Sequence, residues 1–263
     1  MVIAQPPINQ PRKPIVTWER LPADYPLPDD PVENIQQPPL AAALTDALGA
    51  AQWLQPDMLT GSNFGLVATV RKKIVVKAPD WFYVPKVHPL EPQTIRRSYT
   101  QNLEGSPIAV VMEFLSAEDN GELSLRSTPP YGKLYFYEQI LQVPTYVIYD
   151  PTEATLEVRC LDQGCYVLQT PNPAGQFWIP QMDLFLGVWH GERLSQTINW
   201  LRWWKSDGSL LLWSSEQAEQ ERQRAEQERQ RAEQERQRAE QERQRAEQLE
   251  ALLRSQGIDP EEI

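Results

Sequence analysis

Cysteine and histidine are scarce in this 263-residue chain, with two of each. Two cysteines argue against a disulfide-stapled secreted domain. Cys160 and Cys165 flank Leu161-Asp162-Gln163-Gly164, which reads as a hairpin turn that can set them face to face. In a reducing cytosol, two free thiols are the expectation. No histidine stands near them, since the two are His88 and His190, which argues against a zinc site. No apolar run is long enough to span a bilayer. Met1-Val2-Ile3-Ala4-Gln5-Pro6-Pro7 lacks the charged n-region and apolar core of a signal peptide. These absences lead to the expectation of a soluble, cytoplasmic protein with no membrane partner.

Positive charge is also in deficit. The chain has 25 Lys/Arg against 36 Asp/Glu, a net charge of −11. From residue 214 onward it holds 9 Lys/Arg and 14 Asp/Glu, so −5 falls in the tail and −6 in the body. Non-specific DNA binding depends on cations that neutralise phosphates, so the balance points away from a general nucleic-acid coat. It leaves room for a nuclease whose metal brings positive charge to the site. Arg71, Lys72, Lys73 and Lys77, with Arg96 and Arg97, are either a local basic face or exposed strand and loop charges.

Proline, in contrast, is plentiful, with 24 residues. It fixes φ and donates no amide, so residues 1–29 read as an extended lead. Leu40, Leu44 and Leu48 repeat at four-residue spacing and predict an amphipathic helix over residues 39–54, started by Pro38 and Pro39. Strands are predicted at Phe64–Val70, Lys73–Lys77 and Trp81–Val84, with Arg71-Lys72 as the first turn. Ile108–Leu115 is apolar almost throughout and suits a strand covered on both faces. A polar loop follows, whose Glu118, Asp119 and Glu122 read as solvated charge. Leu134, Tyr137 and Ile140/Leu141 recur at helical spacing over residues 131–142. Further strands are predicted at Thr145–Tyr149, Thr155–Arg159, Cys165–Thr170 and Asp183–Trp189. Trp200 and Trp204, at i, i+4, predict one helix face that packs a core; stacking on bases is the other use of such aromatics.

From Ser215 the sequence Ala-Glu-Gln-Glu-Arg-Gln-Arg repeats, with Ala218, Ala225, Ala232, Ala239 and Ala246 seven residues apart. These are helix formers, with Glu221–Arg224 at i, i+3 and Arg222–Glu226 at i, i+4 as expected pairs. A coiled coil needs apolar residues at both a and d, and one alanine per heptad supplies little. Leu249, Leu252 and Leu253 are the apolar anchors. The tail reads as a spacer or a weak homo-oligomerisation arm.

The stretch that carries chemistry runs from Pro79 to Lys133. Two strand-like runs each hold one carboxylate, Asp80 and Glu113, and a helix-like run holds the amine of Lys133. Two strands and a helix can bring these groups to one point. Two carboxylates there can hold a hard divalent cation such as Mg²⁺, which lowers the pKa of a bound water and stabilises charge on a phosphate oxygen. A nearby lysine can orient that water or offset the developing charge. Each piece also has a plainer reading: a Pro-Asp turn, a strand end meeting water, a solvated lysine.

Pro79-Asp80, Glu113-Phe114-Leu115-Ser116, Lys133 with Tyr135 and Tyr137, and Tyr146-Val147-Ile148-Tyr149-Asp150-Pro151 together resemble the Uma-two family of bacterial proteins, within the PD-(D/E)XK restriction-endonuclease-like superfamily. The resemblance spans most of residues 30–200 and continues into Trp200-Leu201-Arg202-Trp203-Trp204 and Gly257-Ile258-Asp259-Pro260. The superfamily sets its lysine two residues after the glutamate, where this chain has Leu115; in this family the lysine sits on the following helix, which makes Lys133 the candidate. The resemblance implies an α/β fold, a restriction-endonuclease-like mixed sheet flanked by helices over residues 30–205. A linker over 206–214 and a long charged heptad-repeat helix over 215–263 complete the expected organisation. It implies a Mg²⁺- or Mn²⁺-dependent endonuclease that hydrolyses DNA, with Asp80 and Glu113 as metal ligands and Lys133 as the third catalytic residue. In the wider fold an acidic residue near the first helix often joins the metal, which makes Glu33 a candidate auxiliary. A histidine found at the start of this helix in many relatives is absent here. The alternative is a non-catalytic binding or regulatory module of the same fold that assembles through its tail, favoured by the acidic surface and the displaced lysine.

Overall fold

The computed structural model describes residues 14–22, 24–25, 35–91, 93–115 and 123–255. The chain forms two compact units that divide between Trp213 and Ser214. In chain order the first unit runs β1 (Val16–Thr17), α1 (Gln37–Ala50), β2 (Leu59–Gly61), β3 (Gly65–Val70), β4 (Lys73–Lys77), β5 (Trp81–Val84), β6 (Ser98–Tyr99) and β7 (Val110–Phe114). It continues with α2 (Lys133–Tyr135), which widens into a π-helix over Phe136–Leu141, then β8 (Thr145–Asp150), β9 (Thr155–Asp162), β10 (Cys165–Leu168), β11 (Phe177–Ile179), β12 (Leu184–Arg193) and β13 (Gln196–Trp204). The second unit is α3 (Ser214–Ser255). Among the described residues no helix is long and apolar enough to cross a membrane.

The fold is mixed α/β and restriction-endonuclease-like. Its central sheet has the order β10-β9-β8-β7-β5-β2. Only β7 and β8 run parallel in it, as the helical crossover between them requires. Successive strand residues point to opposite faces, and β5 and β7 use both. Trp81 and Tyr83, with Val110, Met112 and Phe114, join a core with Leu40, Leu44 and Leu48 of α1 and with the tryptophans of β13. Phe82, Val84 and Val111 face the other way, against Leu134, Tyr137 and Ile140 of the crossover helix and against β3. That second face carries the site.

Helix α1 starts two residues earlier than its spacing predicts and ends at Ala50, with Pro38 in its first turn. In the proline-rich lead, β1 pairs with β3, setting Val16 against Val70. Trp200 and Trp204 lie on strand β13, not on a helix. It pairs with β12 over nine positions, from Phe185↔Trp204 to Arg193↔Gln196. A spacing of four returns to the same face in a strand as in a helix, so it cannot tell the two apart. Trp200 and Trp203 are fully buried, as packing residues. The β9–β10 register sets Cys160 against Val167 and Cys165 against Asp162, so the two cysteines do not face one another and both are free.

Residues 206–213, expected as linker, pack onto the first unit. The Leu211 amide donates to Trp203 O, and Trp213 Nε1 donates to Ala43 O of α1. Arg202, fully buried, lays its guanidinium 3.4 Å from the centre of the Trp213 ring and 5.0 Å from that of Trp189. Helix α3 has 42 residues, a length of about 63 Å at 1.5 Å per residue. Among the described residues its ion pairs form at Glu219–Arg222 and Glu240–Arg243 (i, i+3) and at Arg243–Glu247, which has the i, i+4 spacing expected of Arg222–Glu226 but lies three repeats further on.

Candidate active site

Strand register brings the two carboxylates together. Trp81 pairs with Met112 across β5 and β7, so the next antiparallel step sets Asp80 opposite Glu113. Both follow the alternation that places Phe82 and Val111 on the crossover-helix face. Asp80 closes the arrangement by accepting the Phe114 amide at its Oδ2, at 2.6 Å. Trp81 holds its own ring on the opposite face by donating from Nε1 to Thr45 of α1. The start of β5 is therefore fixed from both sides.

The crossover helix supplies the third group. Pro129-Pro130 brings the chain in, and Gly132 caps the helix in an extended conformation. A Cβ at Gly132 would collide with the Ser124 carbonyl oxygen, so only glycine fits. Lys133 is the first helical residue, and its Nζ lies 3.1 Å from Glu113 Oε2. Tyr137, four residues on and thus on the same helix face, donates its hydroxyl to Glu113 Oε1 at 2.7 Å. The Glu113 carboxylate is gripped at both oxygens by one helix. The left-handed Gln142 (φ 55°) ends the π-helix, and Gln101 ties Leu141 O to the Ile108 amide, locking the helix end to the lead-in of β7.

Burial governs the electrostatics. The Glu113 side chain is 1% exposed, and its pKa is pushed up to about 8. Loss of hydration is the main cause, Asp80 adds to it, and the Lys133 ammonium and the Tyr137 hydroxyl oppose it without cancelling it. Tyr137 is itself held far above the usual tyrosine range by burial, so it stays a donor. Without a cation the site thus favours the protonated Glu113 carboxyl, and added positive charge would favour its ionised form. A hard divalent cation fits that donor set: two carboxylates on one face, with the remaining positions left to water or phosphate. Among the described residues no group of three His, Cys, Asp or Glu comes together, so the described chain offers two carboxylates rather than a closed cage.

The structure brings Asp80, Glu113 and Lys133 into one cluster. Glu33 lies outside the described residues, as do Glu118, Asp119 and Glu122. Of the basic residues, Arg96 is taken by Glu104 at 2.7 Å. Two site residues escape a reading for function. Tyr137 has the periodicity of a core residue, and only its placement four residues after Lys133 hints at a shared target. Gln37, buried at the start of α1, donates from Nε2 to Phe114 O at 2.9 Å, one residue from Glu113.

Residues 31–198 match the model of the Uma2 family, described as "Putative restriction endonuclease". The match covers more than half of the chain, and the protein belongs to this family. Residues 202–258 are similar to a Helicobacter pylori protein family of unknown function, DUF874. No curated protein matches the chain.

Proposed function

We propose that this member of the Uma2 family is a Mg²⁺- or Mn²⁺-dependent endonuclease that hydrolyses DNA phosphodiester bonds. The observation that carries the reading is the meeting of Asp80, Glu113 and Lys133, drawn from β5, β7 and α2, at one end of the sheet. Asp80 and Glu113 would hold the metal. When bound, it would lower the pKa of a coordinated water and stabilise charge on a phosphate oxygen.

The chain's own residues do the rest. Tyr137 fixes the rotamer of Glu113, so its carboxylate is set before substrate arrives. Lys133 brings the one positive charge held against Glu113, at the half-buried mouth of the site. From there its amine orients the attacking water or offsets charge that grows on the phosphate. In a partly desolvated site such a charge acts more strongly than it does in water.

The test separates metal binding from turnover. Mg²⁺ or Mn²⁺ should raise the melting temperature of the wild type in a saturable way, because a ligand that binds only the folded state stabilises it. Asp80→Ala should remove that rise. The same melting response in both proteins would move the metal elsewhere. A well-folded, metal-responsive wild type that nicks no plasmid or linear substrate would turn the reading to a non-catalytic module of the same fold.

A further inference from the structure

The geometry points to a grip for the phosphate backbone of nucleic acid, formed by Arg71, Lys72 and Lys73 at the tip of the β3–β4 hairpin. The inference deepens the nuclease reading and rests on it for the identity of the ligand. All three residues are exposed. In a chain with 36 acidic and 25 basic residues, cations readily find carboxylates: Arg96 takes Glu104, Arg159 takes Glu157 and Arg193 takes Asp46. The hairpin cations do not. Among the described residues none of their side chains has an ion-pair or hydrogen-bond partner. Three consecutive cations repel one another, and among the described residues no carboxylate forms an ion pair with them.

Their place in the fold supplies the second argument. The guanidinium of Arg71 acts on Tyr135. Tyr135 stacks on Tyr131, with ring centres 5.9 Å apart and planes 13° from parallel. These two rings flank Lys133 in the chain, at the start of the crossover helix. Val70 and these rings share one apolar cluster with Tyr137. Tyr131 is buried and packed on Tyr135, so the rings anchor the hairpin beside the crossover helix, and the cations that neutralise phosphates form the grip. The hairpin is also rigid: Val70 pairs with Lys73, and the Arg71 amide donates to Ile15 O.

Both turn residues have positive φ, 49° at Arg71 and 63° at Lys72. That is the pattern of a two-residue hairpin turn which prefers Asn-Gly. The same pattern recurs at Leu194-Ser195, so the conformation alone marks no function. It does supply a clean variant. Arg71→Asn/Lys72→Gly removes two charges while giving the turn its preferred residues, so the protein should melt at the same temperature or higher.

The experiment is fluorescence anisotropy with a labelled duplex in EDTA, where metal and cleavage play no part. With a duplex of about 20 base pairs near about 50 mM salt, the double variant should bind about tenfold more weakly, and its slope of log affinity against log salt should be shallower by about 2. Lys73→Gln should add a smaller loss, and Lys205→Gln, on an exposed turn of another sheet, should change neither quantity. Equal affinity and slope in wild type and double variant would overturn the proposal, as would a wild type that does not bind the duplex. Hairpin-dependent binding to phosphatidylcholine vesicles carrying phosphatidylserine, as tight as to the duplex, would replace nucleic acid by a membrane surface. A wild type that binds DNA through the hairpin yet nicks nothing leaves the grip standing and removes the nuclease reading. A double variant that binds and nicks like wild type does the reverse.

Discussion

Two glutamate–cation pairs, one in each unit, show how differently the same chemistry behaves. Glu113 and Lys133 meet at 3.1 Å with side chains 1% and 21% exposed. Glu219 and Arg222 meet at 2.7 Å with side chains 46% and 78% exposed. Burial pushes the first carboxyl up to about 8. Hydrogen bonds from Gln223 and Arg222 hold the second below the usual carboxylate range. In the tail, water already solvates each charge, so a pair adds little and the repeat tolerates exchange of partners. At the end of β7 the pair stands in a desolvated pocket that disfavours the charge it contains. Such a site is a reservoir of strain that a cation or a charged transition state can release.

The largest effect expected from this contrast is catalytic. Lys133→Ala removes a charge that matters mainly as the phosphate gains charge. Plasmid nicking in Mg²⁺ or Mn²⁺ should fall by about 10²–10³ while DNA affinity changes far less. Metal affinity should hold or rise, since both carboxylates remain. Glu113→Ala should lose nicking altogether. The corresponding change in the tail, Arg222→Ala, should leave nicking untouched. Equal nicking by wild type, Lys133→Ala and Glu113→Ala would assign the activity to a contaminant.

Much of the first unit was legible because burial imposes simple patterns. β5 matches its expected span of Trp81–Val84, and β7 lies inside the apolar run Ile108–Leu115. The meeting of Asp80, Glu113 and Lys133 was legible too, though through resemblance more than through spacing. What escaped has physical reasons. The Tyr137 hydroxyl matters only because Glu113 faces it, and a ring at helical spacing reads as core. Gln37 bonds a backbone carbonyl 77 residues away, a contact that no local pattern encodes. Residues 206–214 read as linker, yet the chain turns back there and buries Leu211 and Trp213. The tail was legible in composition, helicity and the i, i+4 spacing that Arg243–Glu247 shows, but not in which members pair, because Arg222 has one glutamate three residues before it and another four after it.

An effect of intermediate size is expected in the pH dependence of stability without metal. The folded pKa of Glu113, about 8, lies above the value of about 4.3 for an unperturbed glutamate. A raised carboxyl favours folding when protonated. Its contribution is therefore fully present below about pH 4.3 and is lost as pH rises through about 8. Glu113→Gln removes this titration. The melting temperature of the variant should rise relative to wild type between pH 5 and pH 9, and Mg²⁺ should narrow the gap by stabilising only the wild type. Glu219→Gln should show no such divergence. A constant difference between Glu113→Gln and wild type across that range would mean that Glu113 does not titrate there.

The smallest effect should come from deleting the tail. Beyond the first turn of α3 the described side chains are exposed, and the repeat offers alanine as its only recurrent apolar residue. The first unit closes one residue earlier, with Trp213 buried against Ala43 and Arg202. A chain ending after Ser214 keeps that closure. It should fold cooperatively and melt within about 2 °C of the full chain, since even 1 kcal/mol moves a domain of this size by only about 2–4 °C. Light scattering on the two forms then decides what the tail is for. Equal protomer number in both makes α3 a spacer of about 63 Å. A full chain that associates, beside a monomeric truncated form, makes it an assembly arm working through Leu249, Leu252 and Leu253. Loss of cooperative melting on truncation would break the comparison itself, because charge that is cheap to solvate would then be holding the core together.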